Sequence, residues 1–256
     1  MRWRRLCSWA ISVASGPVIL YGCAPHPVVF EPTTAAGSIT GQPGRRGLVI
    51  AAPHGTSDPR TGDIAAELAR RTGFGVVIAT GFMLEPVTRE SAGRRYQVNR
   101  PAEGVPGRPP TEEIATDGAR QVYEAYERRV REVAQGPLRF LAEIHGNNYR
   151  DAAGRIEIAT VGVDRDGAFR LRALLELIRD AHLRTNSEAP RLEVRIEPAD
   201  ALRYGASGAK ASGILRFPER ALHIELPRAA RADWREVYTA ILADFLVQAV
   251  ALPAGR

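Results

Sequence analysis

The sequence predicts an α/β protein with three layers, in which helices cover both faces of a mixed, mostly parallel sheet. Short apolar runs rich in Val and Ile are typical of buried strands, and they alternate with segments whose apolar residues recur at helical spacing. This alternation continues from Gly47 to the last predicted helix. Parallel sheets joined by crossover helices produce such a pattern.

Six apolar runs predict strands, and four periodic segments predict helices. The predicted strands are Leu48–Ala52, Gly75–Thr80, Leu138–Ile144, Ile156–Val163, Leu192–Ile196 and Ala221–Leu226. The first predicted helix follows Thr61, and the second covers Thr111–Ala134. The third begins at Asp166 as its N-cap, and the fourth begins at a capping box formed by Asp233 and Glu236. Two connections are also notable: Gly81–Pro110 predicts a lid or a binding loop, and Tyr204–Gly213 predicts a loop of small residues.

The amino terminus has the pattern of an export signal. Three arginines precede the apolar stretch Leu6–Leu20, which is too short for a comfortable membrane span. The order Leu20-Tyr21-Gly22-Cys23 resembles the lipobox of bacterial lipoproteins, whose cleavage leaves a lipid-bearing cysteine. We therefore expect a signal peptide over residues 1–22, lipidation at Cys23, and an exported protein anchored to a membrane of the cell envelope or periplasm. A simple secretory signal or a retained anchor are the alternatives.

Residues 23–46 are rich in Pro, Gly, Thr and Ala without a sustained period, which predicts a flexible tether. We expect one α/β domain over residues 47–256. Cys7 lies in the predicted signal, so the mature chain would keep only Cys23 and no internal disulfide. A domain of this length can be held by its hydrophobic core alone.

Charge argues against a nucleic-acid partner. The formal net charge is +6, and residues 1–22 contribute three arginines and no acid, which leaves +3. The remaining arginines are scattered among acids instead of forming a basic stripe with aromatic residues, and Lys210 is the only lysine.

Two histidines follow apolar runs in the same way. His54 and Asp58 lie between the first predicted strand and its helix, and His145 comes directly after the third strand. In open α/β sheets, ligands bind beyond the carboxyl ends of the strands. A catalytic zinc ion takes about three His or carboxylate ligands and keeps one position open, so these three residues are candidate ligands. Glu225 lies on a strand of its own and is the candidate general base.

Each candidate also has a structural explanation. Asp58 precedes Pro59 and could be a helix cap, and either histidine could be satisfied by backbone groups. Asp63 is a rival ligand, although it also lies where an acid stabilises a helix amino terminus. His223 shares a strand face with Glu225, which makes it a candidate supporting residue.

Four ordered motifs resemble the N-formylglutamate amidohydrolase family and its relatives, which share a zinc carboxypeptidase type of α/β fold. The related poly-γ-glutamate hydrolases look similar at the first turn, and the match covers most of residues 47–228. The motifs are Ala52-Pro53-His54-Gly55 with Asp58 and Thr61 to Asp63, Val98-Asn99-Arg100, Glu143-Ile144-His145-Gly146, and His223-Ile224-Glu225.

The resemblance implies zinc-dependent hydrolysis of an amide in a small acidic N-acyl amino acid or a peptide. It implies that His54, Asp58 and His145 hold Zn2+, with Glu225 as the base. Arg100 would grip a substrate carboxylate through its planar fork of donors, and we expect the other substrate-binding residues to be Asn99, Arg95 and Asn147. The sequence also allows a non-catalytic envelope lipoprotein that binds an anionic ligand in the same cleft. A serine hydrolase is disfavoured, because the chain has no G-x-S-x-G elbow.

Overall fold

The computed structural model describes residues 37–86, 88, 93–109 and 111–252. The predicted signal peptide, Cys23 and the tether up to residue 36 lie outside the described residues. The described helices are α1 (Thr61–Thr72), α2 (Asp117–Ala134), α3 (Arg165–Leu183), α4 (Ser207–Ser212) and α5 (Arg235–Ala251). The described strands are β1 (Gly37–Gln42), β2 (Arg45–Ala52), β3 (Phe74–Gly81), β4 (Met83–Glu85), β5 (Arg94–Arg95), β6 (Glu103–Gly104), β7 (Glu113–Ile114), β8 (Phe140–Gly146), β9 (Arg155–Val161), β10 (Glu193–Ile196) and β11 (Arg220–Leu226).

Seven of these strands form the central sheet, in the order β1-β3-β2-β8-β11-β9-β10. The pairs β3/β2, β2/β8, β8/β11 and β9/β10 are parallel, whereas β1/β3 and β11/β9 are antiparallel. The sheet is therefore mixed and mostly parallel, as predicted. The carboxyl ends of β2, β8 and β11 meet at one edge, because these three parallel strands are neighbours.

Helices cover both faces of the sheet, which confirms the predicted three-layer architecture. Alternate residues of each strand point to opposite faces. In β8, Ile144 and its even-numbered neighbours pack in the core cluster that contains α1, α3 and α5. Leu141 packs on the opposite face, in the cluster that contains α2 and α4. Glu143 and His145 therefore point toward the α2 side of the sheet.

The strand and helix predictions hold for most elements, and the domain boundary is the main correction. The sequence predicts a tether up to residue 46, but Gly37–Gln42 forms β1 and pairs antiparallel with β3 over its whole length. The ordered domain thus begins before Gly47. The segment GSITGQ has only one large apolar side chain, Ile39, so its strand depends on backbone pairing with β3 instead of on an apolar run.

Helix starts also differ from the prediction. Helix α2 begins at Asp117 instead of Thr111, because the Thr116 side chain accepts a hydrogen bond from the Ala119 N–H and caps the helix there. Asp164, and not Asp166, caps α3 in the same way. The predicted capping box is wrong: α5 starts at Arg235 without a side-chain cap, after a π-helical turn over Ala229–Asp233.

The two notable connections contain short elements. Gly81–Pro110 contains β4 and β5, which pair with each other, and β6, which pairs with β7 just after this connection. Within the predicted small-residue loop, Ser207–Ser212 forms the helix α4. Within the ranges that the structure describes, no helix combines the length and the hydropathy needed to cross a membrane.

Candidate metal centre and active site

Four charged or ionisable side chains from β8 and β11 lie side by side on the α2 face of the sheet. In the parallel register of these strands, Glu143 pairs with His223 and His145 pairs with Glu225. All four side chains are buried, with Glu143 fully so. The rings of His145 and His223 stack with centroids 3.9 Å apart.

The loop between β2 and α1 brings His54 and Asp58 to the same edge. The Gly55 N–H donates to the Ala79 carbonyl of β3 over 2.9 Å, and a Cβ at Gly55 would lie 2.8 Å from that oxygen, so glycine allows the close approach. The Asp58 N–H then donates to the His54 carbonyl over 2.8 Å. The result is a tight turn that aims both side chains back toward β8.

Asp58 is not a helix cap. Arg60 occupies the cap position of α1 in a left-handed conformation, without a side-chain cap. Instead, the Asp58 carboxylate accepts the Gly146 N–H at Oδ2 and Arg95 Nη1 at Oδ1, each over 3.1 Å. The rival ligand Asp63 is exposed and pairs with Arg60, just before α1, and with Arg235 at the start of α5. The structure therefore brings Asp58, and not Asp63, to the histidines.

Both histidines turn the same ring nitrogen toward one oxygen of Asp58. The Nδ1 atoms of His54 and His145 lie 3.4 Å and 3.7 Å from Asp58 Oδ2. Their Nε2 atoms face other acceptors, namely the Gln97 carbonyl at 3.0 Å and Glu143 Oε2 at 3.5 Å. The ligand atoms of His54, Asp58 and His145 all lie within 4.8 Å of one another, a spacing at which they could hold one metal ion.

The state of His54 supports a cation at this point. A carbonyl can only accept, so His54 Nε2 carries the proton that it donates to Gln97. Burial and the nearby Arg95 charge lower the pKa of His54 to about 4, so its ring is neutral and Nδ1 carries a lone pair. That buried Nδ1 has no hydrogen-bond partner among the described residues, although it faces a carboxylate oxygen. A lone pair opposite an anion is unfavourable unless a cation lies between them.

His145 behaves differently without a metal. Burial alone would lower its pKa, but hydrogen bonds with Asp58 and Glu143 outweigh burial and raise the pKa to about 9. The same two histidines hold the pKa of Asp58 well below its usual range, against the effect of burial. A metal ion would take the place of the proton on His145 Nδ1. The bond from Nε2 to Glu143 would then fix the ring and raise its basicity.

A second group of possible ligands overlaps the first, consisting of Glu143, His145 and His223. Glu143 does not line the cavity, and its two oxygens already accept hydrogen bonds from Asn99 Nδ2 and Tyr126 Oη, each over 3.1 Å. A catalytic metal needs an open position that substrate can reach. The group with Asp58 meets this requirement, because all of its members line the cavity.

The cavity has a volume of about 1300 Å3 and extends from the candidate metal ligands to the long connection after β3. Glu225 and His223 lie on its wall. The Nε2 atom of His223 is 3.2 Å from Glu225 Oε1, and its Nδ1 atom is 3.3 Å from Glu143 Oε2. Burial would raise the pKa of Glu225, but the hydrogen bond with His223 and the His145 charge lower it. Glu225 is therefore ionised at neutral pH, as a general base must be.

Three of the predicted substrate-binding residues line this cavity, namely Arg95, Arg100 and Asn147, whereas Asn99 does not. Several of the four already have partners. Arg95 binds Asp58, as described above. Arg100 donates from Nε to Glu113 over 2.9 Å and from Nη1 to Asn99 Oδ1 over 3.1 Å. Asn99 is fully buried, and Asn147 lines the cavity beside His145.

Sequence reasoning missed two residues that hold the site together. Glu143 lies within an apolar strand, and Arg231 lies in the π-helical turn before α5. The Arg231 guanidinium is buried and donates to the carbonyls of Leu226 (3.0 Å), Pro59 (2.9 Å) and Asn147 (3.3 Å). Leu226 directly follows Glu225, Pro59 directly follows Asp58, and Asn147 lies two residues after His145. One side chain therefore ties together the three segments that carry the site.

The comparison with protein-family models gives no match, and neither does the comparison with curated proteins. Several solved structures are similar. A bacteriophage poly-γ-glutamate hydrolase is 11% identical, with 86% of this chain and 91% of that chain covered and a TM-score of 0.46. A gene product of Agrobacterium tumefaciens is 15% identical, with 83% and 94% covered and a TM-score of 0.49. A succinylglutamate desuccinylase of Vibrio parahaemolyticus is 12% identical, with 91% and 70% covered and a TM-score of 0.41.

These structures include the poly-γ-glutamate hydrolase group that the first turn of this sequence resembles. The likeness is distant at such identities and TM-scores. A function for this chain must therefore be inferred from its own side chains.

Proposed function

We propose that this protein is a zinc-dependent hydrolase that cleaves an amide bond of an acidic N-acyl amino acid or a peptide fragment. The observation that carries the proposal is the convergence of His54 Nδ1, His145 Nδ1 and Asp58 Oδ2 on one point of the cavity wall, with Glu225 beside it. Two nitrogens and one carboxylate oxygen form a common ligand set of catalytic zinc. The motifs that resemble the N-formylglutamate amidohydrolases support the same chemistry.

The residues of the chain divide the work between binding and proton transfer. A zinc ion at this site would polarise the substrate carbonyl and make a water molecule more acidic. Glu225 takes a proton from the attacking water, and the water oxygen bonds to the carbonyl carbon. The C–N bond then breaks, and Glu225 returns the proton to the leaving amine. His223 holds the Glu225 carboxylate in place through its Nε2 atom.

Turnover and metal content of the purified protein test this proposal. We expect bound zinc, hydrolysis of members of a panel of N-acyl glutamates, N-acyl aspartates and γ-glutamyl peptides, and loss of activity on chelation. Glu225→Gln should keep the metal and lower kcat by about 10²- to 10⁴-fold. A His54→Ala/His145→Ala double variant should lose the metal. His182→Ala is the matched control, because His182 pairs with Asp244 between α3 and α5, away from the cavity.

Three outcomes would contradict the proposal: no bound zinc in the wild type, no zinc loss in the double variant, or unchanged turnover in Glu225→Gln. If the wild type hydrolyses nothing while Glu225→Gln keeps wild-type metal and ligand affinity, the protein is instead a binding lipoprotein. That alternative has the same cavity but needs no general base.

We also propose that the chain is exported and anchored to a membrane through lipid at Cys23. The order Leu20-Tyr21-Gly22-Cys23 supports this proposal. Metabolic labelling of the full chain with a fatty acid should mark the wild type and not a Cys23→Ala variant. Equal labelling of both would contradict it.

A further inference from the structure

One arginine on the cavity wall has no acidic partner among the described residues. Four arginines in the described ranges line the cavity. Three of them have acidic partners: Arg94 pairs with Glu85 and Glu103, Arg95 with Asp58, and Arg100 with Glu113. The Arg203 guanidinium makes no hydrogen bond or ion pair in the described structure and lies instead over the ring of Tyr149, 4.8 Å from its centroid.

The backbone that carries Arg203 is fixed next to the proposed base. The buried carboxylate of Glu157 accepts the backbone N–H groups of Arg203 and Tyr204, over 3.1 Å and 3.2 Å. Glu157 lies directly opposite Glu225 in the antiparallel pairing of β9 and β11. Residues opposite each other in such a pair have side chains on the same face, with Cβ atoms about 5 Å apart. Arg203 therefore leaves the backbone beside the reacting centre.

Two aromatic rings complete the wall around this guanidinium. Tyr149 follows His145 by four residues, and its ring centroid is 6.0 Å from that of Tyr204. Burial, together with the negative charge of Glu225, raises the pKa of Tyr204 to about 12, so its hydroxyl stays a neutral donor. The Tyr149 ring lies against the Arg203 guanidinium, whose N–H groups have no hydrogen-bond acceptor among the described residues.

We propose that Arg203 binds a carboxylate of the substrate, with Tyr149 and Tyr204 as the walls of the subsite. This inference rests on the proposed function and names the residue that selects an anionic substrate. A guanidinium stacked on an aromatic ring presents its edge to a planar anion and binds a carboxylate with two parallel hydrogen bonds. The aliphatic part of an amino acid would then lie against the tyrosine rings.

Arg100, which the sequence predicted for this task, is less suited to it. Glu113 and Asn99 already accept its hydrogen bonds. A substrate carboxylate would have to displace Glu113, whereas Arg203 has no acidic partner to displace among the described residues.

The test compares a carboxylate substrate with its neutral counterparts. The probes are N-acetyl-L-glutamate, its α-carboxamide, and its γ-carboxamide. The metal-loaded wild type should prefer N-acetyl-L-glutamate to at least one carboxamide by about tenfold or more in kcat/KM, since a charge-assisted pair contributes at least that much. Arg203→Met should abolish this preference mainly through KM, with kcat within about threefold, and Arg203→Lys should keep part of it.

Arg165→Met is the matched control. Arg165 is also exposed and lies over an aromatic ring, that of Phe169 at 5.6 Å, but it does not line the cavity. This variant should keep the wild-type preference. Persistence of the carboxylate preference in Arg203→Met, or its absence in the wild type, would overturn the inference.

Calorimetric binding of N-acetyl-L-glutamate separates this inference from the proposed function. If the wild type hydrolyses none of the probes, the proposed hydrolase function fails, but binding still decides the role of Arg203. Binding that is tenfold or more weaker in Arg203→Met supports the subsite. Equal binding by the two proteins, or no binding by either, refutes it.

Discussion

Replacing Glu143 with glutamine tests how the strand pair β8/β11 supports the proposed metal centre. Glu143 Oε2 lies 3.1 Å from Asn99 Nδ2, 3.3 Å from His223 Nδ1 and 3.5 Å from His145 Nε2. All three neighbours can donate to a carboxylate. A glutamine has nearly the same shape and can still accept through its amide oxygen, but it removes the negative charge.

The expected loss is in zinc affinity. Removing a carboxylate that accepts from a metal-ligating histidine typically weakens metal binding about 10- to 100-fold, or about 1.4 to 2.7 kcal/mol. Competition with a chromogenic chelator at fixed pH measures this change, and far-UV circular dichroism checks that the variant is folded. Wild-type zinc affinity in folded Glu143→Gln would refute the reasoning.

Tyr126→Phe is the control for this prediction, because the Tyr126 hydroxyl binds the other oxygen of Glu143, Oε1, over 3.1 Å. We expect Tyr126→Phe to lower the free energy of unfolding by about 1 kcal/mol, as for one buried hydrogen bond. Its zinc affinity should stay within about threefold of wild type. An equal loss of zinc affinity in both variants would show that general disruption of the core, and not the charge of Glu143, is responsible.

Three further predictions concern the segments around the centre. Arg231→Met should lower the free energy of unfolding, measured in urea, by about 2 to 4 kcal/mol and weaken zinc binding, because three carbonyls lose their donor. Arg228→Met is the control: Arg228 is exposed, so this variant should change the free energy of unfolding by less than about 0.5 kcal/mol. Gly146→Ala should cost about 1 to 3 kcal/mol, since its Cβ would lie 2.7 Å from the Arg231 guanidinium, whereas Gly154→Ala, with nothing within 4 Å, should cost far less. The pKa of about 9 for metal-free His145 means that the ring is protonated at pH 7.5, so zinc binding should release about one proton and tighten as pH rises toward that value. Calorimetry in buffers of different ionisation enthalpy measures the proton, and zinc binding without proton release would contradict the predicted state of His145.

The cluster of His54, Asp58 and His145 could be predicted from sequence because two histidines follow apolar strands in the same way. His54 and His145 each end an apolar run and precede a glycine, and neighbouring parallel strands place such residues at one edge. The sequence indicates Glu225 as the candidate base because His223 and Glu225 alternate with apolar residues along one strand and share its face. Glu143 and His145 have the same two-residue spacing. This spacing is the feature of the sequence from which Glu143 could have been predicted as a partner of His145.

Other features could not be predicted because they depend on contacts between distant segments. Arg231 donates hydrogen bonds to backbone carbonyls, which no pattern of side chains in the sequence indicates. One of these carbonyls, that of Pro59, is 172 residues away in sequence. Strand β1 lacks an apolar run and forms by pairing with β3. The availability of Arg203 is visible only once the acidic partners of Arg95 and Arg100 are known.

X-ray anomalous scattering at the zinc edge, from crystals of the zinc-loaded protein, tests the proposed metal centre most directly. We expect one peak within about 2.0 to 2.2 Å of His54 Nδ1, His145 Nδ1 and a carboxylate oxygen of Asp58, on the cavity side of the sheet and beside Glu225. A peak between Glu143 and His223 instead, or no peak in this cavity, would contradict the proposed metal centre.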